Sequence, residues 1–311
     1  MPWPLCITGS LAVEWWLAED PGALIRGRAR VGAAEITVCT DGTCRFDGGA
    51  MFGVVPRTLW EKRVTPDARN CVEIGLNCVA VRLGGRTVLI ETGFGNKLPP
   101  KFERIYATAK LLPASLEAAG VAPPEVDFVI NTHLHWDHCG WNTVEDAEGA
   151  PRAFFPNATY VMHAGEIEHG RRQTERDRVS YVPANYEPLL AEQRVRQVRV
   201  TGPGEREQIC PGVSVECFPG HTRHMLAVHV ESEGERACFT SDLVPTAAHI
   251  SPTWVMAFDL DPLRTIEEKH RLYEAVSREG VLLLLPHDHH ACMGWLRRHP
   301  QDGYLLEPMR A

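Results

Sequence analysis

The densest group of chemically reactive side chains is the segment 129–142, VINTHLHWDHCGWN, in which three histidines and an aspartate fall within six residues. His133 and His135 stand two apart after a strand-like run, so in extended backbone their side chains leave on the same side and can bind one metal ion. Asp137 and His138 follow where the chain should begin a helix, which would turn their side chains toward a second position nearby. The segment therefore predicts two adjacent metal sites.

The spacing His-x-His-x-Asp-His resembles the signature of the metallo-β-lactamase superfamily and matches it at all four defined positions in THLHWDH. Three later motifs extend the resemblance. The sequence PGHT would supply His221 as the third histidine of the first site, and Asp242, after the strand-like ACFT, would bridge the two ions. In PHDHH, the family's order of histidine directly before aspartate favours His287, although His289 or His290 could serve if the preceding strand ended later.

The resemblance thus implies two divalent metal ions held by seven side chains. One ion would take His133, His135 and His221, and the other Asp137, His138 and His287, with Asp242 bridging. Nitrogen and oxygen donors without thiolate favour zinc, while iron, manganese and cobalt stay compatible. Two ions sharing a water make hydroxide available at neutral pH as the nucleophile. The catalytic candidates are Asp137, which would also orient the nucleophile or pass a proton to the leaving group, and Asp242.

The elements that must position these residues alternate between strands and helices. Residues 35–46, EITVCTDGTCRF, predict a hairpin that turns at Asp41-Gly42, and residues 78–91 predict a second hairpin that turns at Gly84-Gly85. A helix over 108–119 and the strand EVDFVIN then lead to the histidine cluster. This order favours an α/β sandwich over a barrel, and the resemblance implies the four-layer αββα metallo-β-lactamase sandwich.

A glycine-rich segment, 47–60 (DGGAMFGVVPRTLW), predicts a loop with unusual backbone angles whose apolar side chains pack in the core or line a pocket. A second pocket candidate follows from a departure from the family. Many members carry a histidine four residues after that of PGHT, where this chain has Met225 and offers a neighbouring histidine instead. The candidate pocket residues are Met51, Phe52, Val54, His224 and Trp254.

Bulk composition restricts the partners. The chain has 311 residues, 44% of them hydrophobic and 23% charged, with a net charge of −8, which is a globular composition without a basic surface for nucleic acid or anionic membrane. Ten scattered cysteines predict reduced thiols, and neither a signal peptide nor a transmembrane span is recognisable. We therefore expect a cytoplasmic protein with a small-molecule substrate, no nucleic-acid partner and no membrane partner. The charged segment 168–178 could form a lid or a homodimer contact.

Over roughly residues 35–295, the phrases FDGGAMFGVVP, ETGFGN, NTHLHWDHCGWN, PGHT and SDL resemble the branch that holds N-acyl-homoserine lactone lactonases and methyl parathion hydrolase. This implies a hydrolase of a lactone, ester or similar small neutral substrate. The alternatives are a glyoxalase II-like thioesterase or a phosphotriesterase on the same site. A catalytically silent scaffold of the same fold is the non-enzymatic alternative, but scaffolds tend to lose ligands.

The predicted domain organisation is an N-terminal extension of unknown role over 1–33, with a short helix near Val13 to Ala18, followed by the hydrolase domain over 34–311.

Overall fold

The computed structural model describes residues 16–17, 23–300 and 303–309, which form two large sheets and a small one. The strands of the first sheet are β1 (Trp16–Leu17), β2 (Ile25–Val31), β3 (Ala34–Asp47), β4 (Cys71–Leu83), β5 (Arg86–Ile90), β6 (Phe128–Ile130), β9 (Thr159–His163) and β10 (Val195–Val198). The small sheet is β7 (Thr143–Glu145) with β8 (Pro151–Ala153). The strands of the second large sheet are β11 (Arg206–Cys210), β12 (Val213–Cys217), β13 (Leu226–Ser232), β14 (Glu235–Phe239), β15 (Leu282–Leu284), β16 (Met293–His299) and β17 (Gly303–Pro308). In each large sheet the strands lie side by side in the order given.

The helices lie on the outer faces of the sheets and in the connections. They are α1 (Gly48–Phe52), α2 (Arg57–Trp60), α3 (Pro100–Tyr106), α4 (Leu112–Ala118), α5 (Trp136–Cys139), α6 (Ala164–Arg172), α7 (Glu187–Ala191) and α8 (Pro262–Glu279). The bounds of helix α8 coincide with local sequence signals, a proline at its first position and a glycine directly after its last residue. Its first turn is capped by the Asp261 carboxylate, which accepts from the Arg264 amide, and it ends where Gly280 adopts the left-handed conformation with φ 65°.

Three of the four buried apolar clusters in the described part of the chain lie between the sheets and helices. Strand β4 shows how they arise, because successive side chains of a strand point to opposite faces. Val79 and Val81 enter the core between the two large sheets, whereas Cys78 and Ala80 enter the outer core, where Leu116 of α4 packs. On the far side, α8 covers the second large sheet through a third core. The predicted αββα sandwich is confirmed.

The predicted hairpin over 35–46 is wrong, because β3 runs through Asp41 and Gly42 without turning. The ladder with β4 shifts register between Thr40 and Thr43, and Gly42 has φ 99°, so the two residues form a bulge. The bulge turns the Asp41 carboxylate inward, where four N–H groups donate to it: the amides of Phe94, Gly95 and Leu112 and the indole of Trp141. Burial nevertheless raises the pKa of Asp41 to about 6.

Other local predictions have mixed outcomes. The hairpin of β4 and β5 is confirmed, with left-handed Gly84 and Gly85 at its turn. The glycine-rich segment forms α1 and α2 instead of a loop, because the Asp47 side chain caps the first turn of α1 and only Gly53 in that helix region needs a positive φ, 56°.

The N-terminal prediction falls largely outside the described residues. Of the helix expected near Val13 to Ala18, only Trp16–Leu17 is described, and it is a strand. Strand β2 pairs with β3 inside the first sheet, while the role of residues 1–33 and the domain boundary stay predictions. Among the helices of the described ranges, none has the length and apolar composition to cross a bilayer. The cytoplasmic location and the homodimer stay predictions.

Candidate metal centre

Four strand ends deliver the candidate ligands. His133 and His135 lie just beyond β6, and Asp137 and His138 lie in α5, the single turn that follows. His221, Asp242 and His287 lie a few residues beyond the carboxyl ends of β12, β14 and β15. Because these four strands end on the same side of the two sheets, residues far apart in sequence meet in one buried cluster.

The first triad consists of His133, His135 and His221. One ring nitrogen from each lies within 4.8 Å of those of the other two. His221 Nε2 lies 3.1 Å from His135 Nδ1. All three side chains are buried. Three imidazoles at this spacing have the donor set of a zinc site with an open position.

The second triad consists of Asp137, His138 and His287, again with one donor atom from each within 4.8 Å of the others. The two imidazoles approach to 3.2 Å between their Nε2 atoms. Each Nε2 lies 3.8 Å from Asp137 Oδ2. His289 and His290 stand outside both triads and pack against each other, with ring centroids 3.9 Å apart.

The Asp242 carboxylate lies between the two triads. Its Oδ1 is 3.1 Å from His287 Nε2 and 3.5 Å from His138 Nε2, both of the second triad. Its Oδ2 is 3.3 Å from His221 Nε2 of the first triad. One oxygen thus faces each triad, which is the arrangement of a bridging carboxylate.

Unpaired polar atoms show that the residues present fit metal ions. Within the described part of the chain, His133 Nε2, His135 Nε2 and Asp242 Oδ1 are buried without a hydrogen-bond partner. A buried polar atom left unpaired costs about 1–3 kcal/mol, and three in one cluster need a common explanation. Coordination of cations supplies it, because all three atoms are lone-pair donors of residues that belong to a triad or lie between the two triads.

The electrostatics of the cluster also suit cations. Burial lowers the pKa of both His133 and His135 well below the ordinary range, so their imidazoles stay neutral and able to ligate. Burial also disfavours the charged form of His138, but the carboxylates of Asp242, Asp137 and Glu91 outweigh it and raise its pKa well above 6.5. Burial raises the pKa of Asp242, but the surrounding histidines outweigh burial and hold the pKa well below its ordinary value. Asp242 is therefore ionised and carries a negative charge between the two triads.

A second layer of acceptors fixes the imidazole orientations. His221 Nδ1 lies 2.9 Å from Asp259 Oδ1, and His287 Nδ1 lies 2.8 Å from the carbonyl oxygen of Gly75. His138 Nδ1 lies 3.4 Å from Glu91 Oε1, which also accepts from Thr132. Such partners hold the Nδ1–H tautomer and leave Nε2 free for a metal. Sequence reasoning missed Asp259 and Glu91, because a lone acidic residue outside the histidine motifs carries no signal of this role.

A cavity of about 270 Å³ opens over the cluster and reaches Asp137, Asp242 and His287. Its wall carries four aromatic side chains, Phe46, Tyr106, Trp136 and Phe258, together with Met51, Ile74 and Met256. At the rim, the Arg176 guanidinium donates to the carbonyl oxygens of Ala257 and Asp259. Apart from Met51, none of these apolar and aromatic residues was among the predicted pocket residues.

The five predicted pocket residues lie in different parts of the structure. Met51 lines the cavity. Phe52 is 1% exposed and stacks on Trp60 and His249, with centroids 5.0 and 4.8 Å away, so it belongs to the core. Val54 is 90% exposed.

The other two predicted residues also lie elsewhere. Trp254 packs on the edge of Phe52 and under the Arg63 guanidinium, 4.1 Å from its ring centroid. His224 stacks on His163 with centroids 4.7 Å apart and lines a different cavity of about 650 Å³, since the turn after His221 carries it away from the cluster. The cavity over the cluster is lined by other residues, while Phe52 borders a second cavity of about 660 Å³ that also reaches His287. The assignment of Phe52, Val54, His224 and Trp254 to the substrate pocket stays a prediction.

Comparison with known proteins supports the same class. The chain matches the family model of the metallo-beta-lactamase superfamily over residues 73–297. An N-acyl homoserine lactonase from Bacillus cereus is 22% identical over 249 residues, which cover 76% of this chain and 89% of that protein. Another from Bacillus thuringiensis is 24% identical over 175 residues, which cover 56% of this chain and 60% of that protein.

Two solved structures share the fold. A probable metal-dependent hydrolase from Staphylococcus aureus has a TM-score of 0.79 and 26% identity, covering 91% of this chain and all 100% of that one. The dizinc quorum-quenching lactonase AidC, solved with a product, has a TM-score of 0.77 and 17% identity, covering 94% of this chain and 99% of that one. At that identity the second likeness shows the fold alone.

The two facing sheets, their outer helices and the histidine–carboxylate cluster define a metal-binding hydrolase of the αββα class. The chain belongs to the metallo-beta-lactamase superfamily. This membership confirms the expected family and the expectation of a metal-dependent hydrolase.

Proposed function

We propose that the protein is a dinuclear metal-dependent hydrolase of a small, neutral lactone or ester with an apolar portion. The observation that carries the proposal is the position of Asp242, whose two carboxylate oxygens face different triads at 3.1 and 3.3 Å. A mononuclear site would have no use for a second buried triad on the far side of that carboxylate. In this assignment His133, His135 and His221 hold one ion, and Asp137, His138 and His287 hold the other. The donor set favours zinc.

When bound, two such ions would make hydroxide available at neutral pH and would polarise the attacked carbonyl. The side chains of the chain do the rest. Asp137 lines the cavity and is 12% exposed, so its carboxylate can accept the proton of the attacking group and return it to the leaving oxygen. Tyr106 lines the same cavity, and burial together with the Asp137 charge raises the pKa of its phenol. Its hydroxyl therefore stays protonated and can donate a hydrogen bond to a substrate oxygen.

The cavity wall supports the choice of substrate. Phe46, Trp136 and Phe258 present aromatic faces and edges, and Met51 adds a flexible apolar side chain. An apolar acyl or aryl group would be buried there, whereas a charged one would lose its hydration without compensation. The relatives named N-acyl homoserine lactonase support a lactone as the reacting group.

An aryl ester or a phosphotriester is the second candidate. The four aromatic rings of the wall favour it, because aryl leaving groups gain from edge-to-face and offset-stacked contacts at ring separations like the 4.9 Å between Phe46 and Tyr106. The same cluster would hold the ions in either case.

A substrate panel with metal removal tests the proposal. Metal-free protein should be inactive on every substrate, and addition of Zn²⁺ should restore hydrolysis of N-acyl lactones or aryl esters above that of a glutathione thioester. Glu148→Gln removes a carboxylate from an exposed turn away from the cluster and serves as a control for loss of surface charge. It should behave as the wild type on every substrate. Full activity of metal-free protein, or a preference for the anionic thioester, would contradict the proposal.

A further inference from the structure

Glu166 is a buried carboxylate that belongs to neither metal triad. It lies in the first turn of α6 and is 1% exposed. Burying a carboxylate is expensive unless hydrogen bonds compensate it. The sequence signals of the metal motifs do not include this residue, and the proposed chemistry does not use it.

Three segments of the chain donate to the Glu166 carboxylate. Its Oε1 accepts from the Tyr181 hydroxyl at 2.7 Å and, more weakly, from the Leu134 amide at 3.4 Å. Its Oε2 accepts from the Thr222 hydroxyl at 2.9 Å. The carboxylate therefore joins α6 to three loops that are distant from one another in sequence.

Each donor adjoins a histidine of the first triad. Leu134 stands between His133 and His135, and Thr222 directly follows His221. Tyr181 packs edge-on against the His135 ring, with centroids 5.0 Å apart, and its backbone forms an isolated bridge with His135. None of the three donors is a sequence neighbour of Asp137, His138 or His287.

We propose that Glu166 is a positioning residue for the first metal site, setting the distances among its three histidines and hence the affinity for that ion alone. The inference rests on the proposed dinuclear function. Asp259 and the Gly75 carbonyl oxygen each hold one imidazole, those of His221 and His287. Glu166 instead fixes the relative placement of the two ligand segments, around Leu134 and Thr222, that must converge on one ion.

The test compares Glu166→Gln with Glu168→Gln. Glutamine keeps the shape of Glu166 but removes its charge and replaces one acceptor oxygen with a donor. Either the Tyr181 or the Thr222 hydroxyl must then accept from the amide instead of donating to a carboxylate, and both hydrogen bonds lose their charge assistance. Glu168 is the matched control, because it lies on the same helix, is 61% exposed and pairs only with Arg172 among the ion pairs of the described residues. Metal-free protein is titrated with Zn²⁺ in competition with a chromophoric chelator, which resolves two stepwise affinities.

For Glu166→Gln we expect one of the two affinities to fall by ~10–100-fold, the usual effect of an outer-layer partner, while the other is unchanged. The Co²⁺ absorption spectrum should change for one ion and not for the other. Glu168→Gln should match the wild type. Tyr181→Phe and Thr222→Val each remove one donor and should each weaken the same ion by a smaller factor.

Two results would overturn the inference: unchanged affinities in Glu166→Gln, or an equal fall in both. If Glu166→Gln does not fold, the titration of Tyr181→Phe decides between these outcomes in the same way. Failure of the wild type to bind a second ion is a different result, which contradicts the proposed dinuclear function and not the role of Glu166 at the first site.

Discussion

Two aspartates that each follow a strand of the second large sheet, Asp242 and Asp288, have different surroundings. Asp242 faces both triads, whereas Asp288 follows His287 but turns away from the cluster. Its Oδ1 accepts from the amides of His290 and Ala291, and its Oδ2 accepts from the amide of Ala247 at 2.9 Å. The first is placed to bridge ions and the second to hold a turn.

We therefore predict that Asp242→Ala loses far more activity than Asp288→Ala. Removal of the bridge leaves two cations facing each other without a shared anion. Asp288 accepts from backbone amides of a turn, so its removal should cost no more than the ~10–100-fold typical of a residue that supports a metal ligand. Values of kcat/KM on one substrate and metal content for both variants make the comparison. Equal losses, with metal retained in both, would show that Asp242 does not bridge.

Substrate preference is the second property set by single residues. Phe258 lines the cavity and is 37% exposed, while Phe52 is 1% exposed in the core. Each buried methylene of an acyl chain contributes ~0.8 kcal/mol, so the wild type should gain severalfold in kcat/KM per added methylene until the cavity is full.

Phe258→Ala should flatten this dependence on chain length with little loss of stability. Phe52→Ala is the control, which should lose ~3–5 kcal/mol of unfolding free energy while keeping the same relative preference. Kinetics on a homologous series of acyl lactones, with thermal unfolding, separate the two effects. Flat efficiency in the wild type, or a change of preference only in Phe52→Ala, would contradict the assigned wall.

At the scale of elements, a close backbone contact holds the ligand turn α5 against the loop 92–95. The Gly140 amide donates to the carbonyl of Gly93, and the Thr92 amide donates to the carbonyl of His138, both at 2.8 Å. A Cβ on Gly140 would lie 2.1 Å from the carbonyl carbon of Phe94. Gly140 has helical angles, φ −63° and ψ −47°, so glycine is required for space and not for conformation.

Gly140→Ala should therefore lower the unfolding free energy by ~1–3 kcal/mol and weaken metal binding, because the loop must move away from α5. Gly202→Ala is the control. Its new Cβ would meet only the flexible Glu205 side chain, at 3.2 Å from Oε2 and 3.5 Å from Cβ. Chemical denaturation and metal titration give both quantities. A stabilised Gly140→Ala, as helix propensity alone predicts, would contradict this account.

Elements with complete local signals could be predicted from the sequence. Helix α8 has a capping aspartate, an early proline and a terminal glycine, and its bounds follow from them. The sequence does not show which face of α8 is buried, because an apolar residue, Leu263, is 74% exposed while a charged one, Lys269, is buried. Lys269 donates to the carbonyls of His249 and Trp254. The bulge at Asp41 imitates a turn locally and is explained only by N–H donors distant in sequence.

In the site, too, residues in local motifs could be predicted, whereas residues brought together by packing could not. Its seven candidate ligands stand in short motifs whose spacing is visible in the sequence, and the structure brings all seven together. The aromatic wall was not predictable, because Phe46, Tyr106, Trp136 and Phe258 come from four separate segments and meet only through packing. His224 stands near the motif in sequence but points into another cavity, so proximity in sequence was misleading there.

Across the whole molecule, a buried ionic pair on the second large sheet makes stability depend on pH. Burial lowers the pKa of His229, but contacts with Cys238 and Glu216 outweigh it and bring the pKa to about 9. Burial raises the pKa of Glu216, but hydrogen bonds from His229 and Arg271 outweigh it and bring the pKa to about 2. The folded state thus binds the His229 proton more tightly, and the Glu216 proton less tightly, than the unfolded chain.

The His229 contribution should be complete below pH 6.5 and should disappear as the pH rises through 9, and the Glu216 contribution should disappear as the pH falls from 4.5 toward 2. His229→Gln should therefore show a smaller loss of unfolding free energy than the wild type between pH 6.5 and 9. Buried Lys269, whose pKa is lowered to about 7, acts in the opposite direction, so the difference between the two proteins is the quantity to measure. Parallel curves would show that His229 carries no extra proton.

The architecture as a whole brings four strand ends from two sheets to one buried cluster, which we propose holds two ions. Elemental analysis of protein saturated with Zn²⁺ and freed of excess metal counts these ions. We predict close to two ions per chain in the wild type and a loss of at least one in Asp242→Ala. At most one ion per chain in the saturated wild type would contradict the dinuclear account.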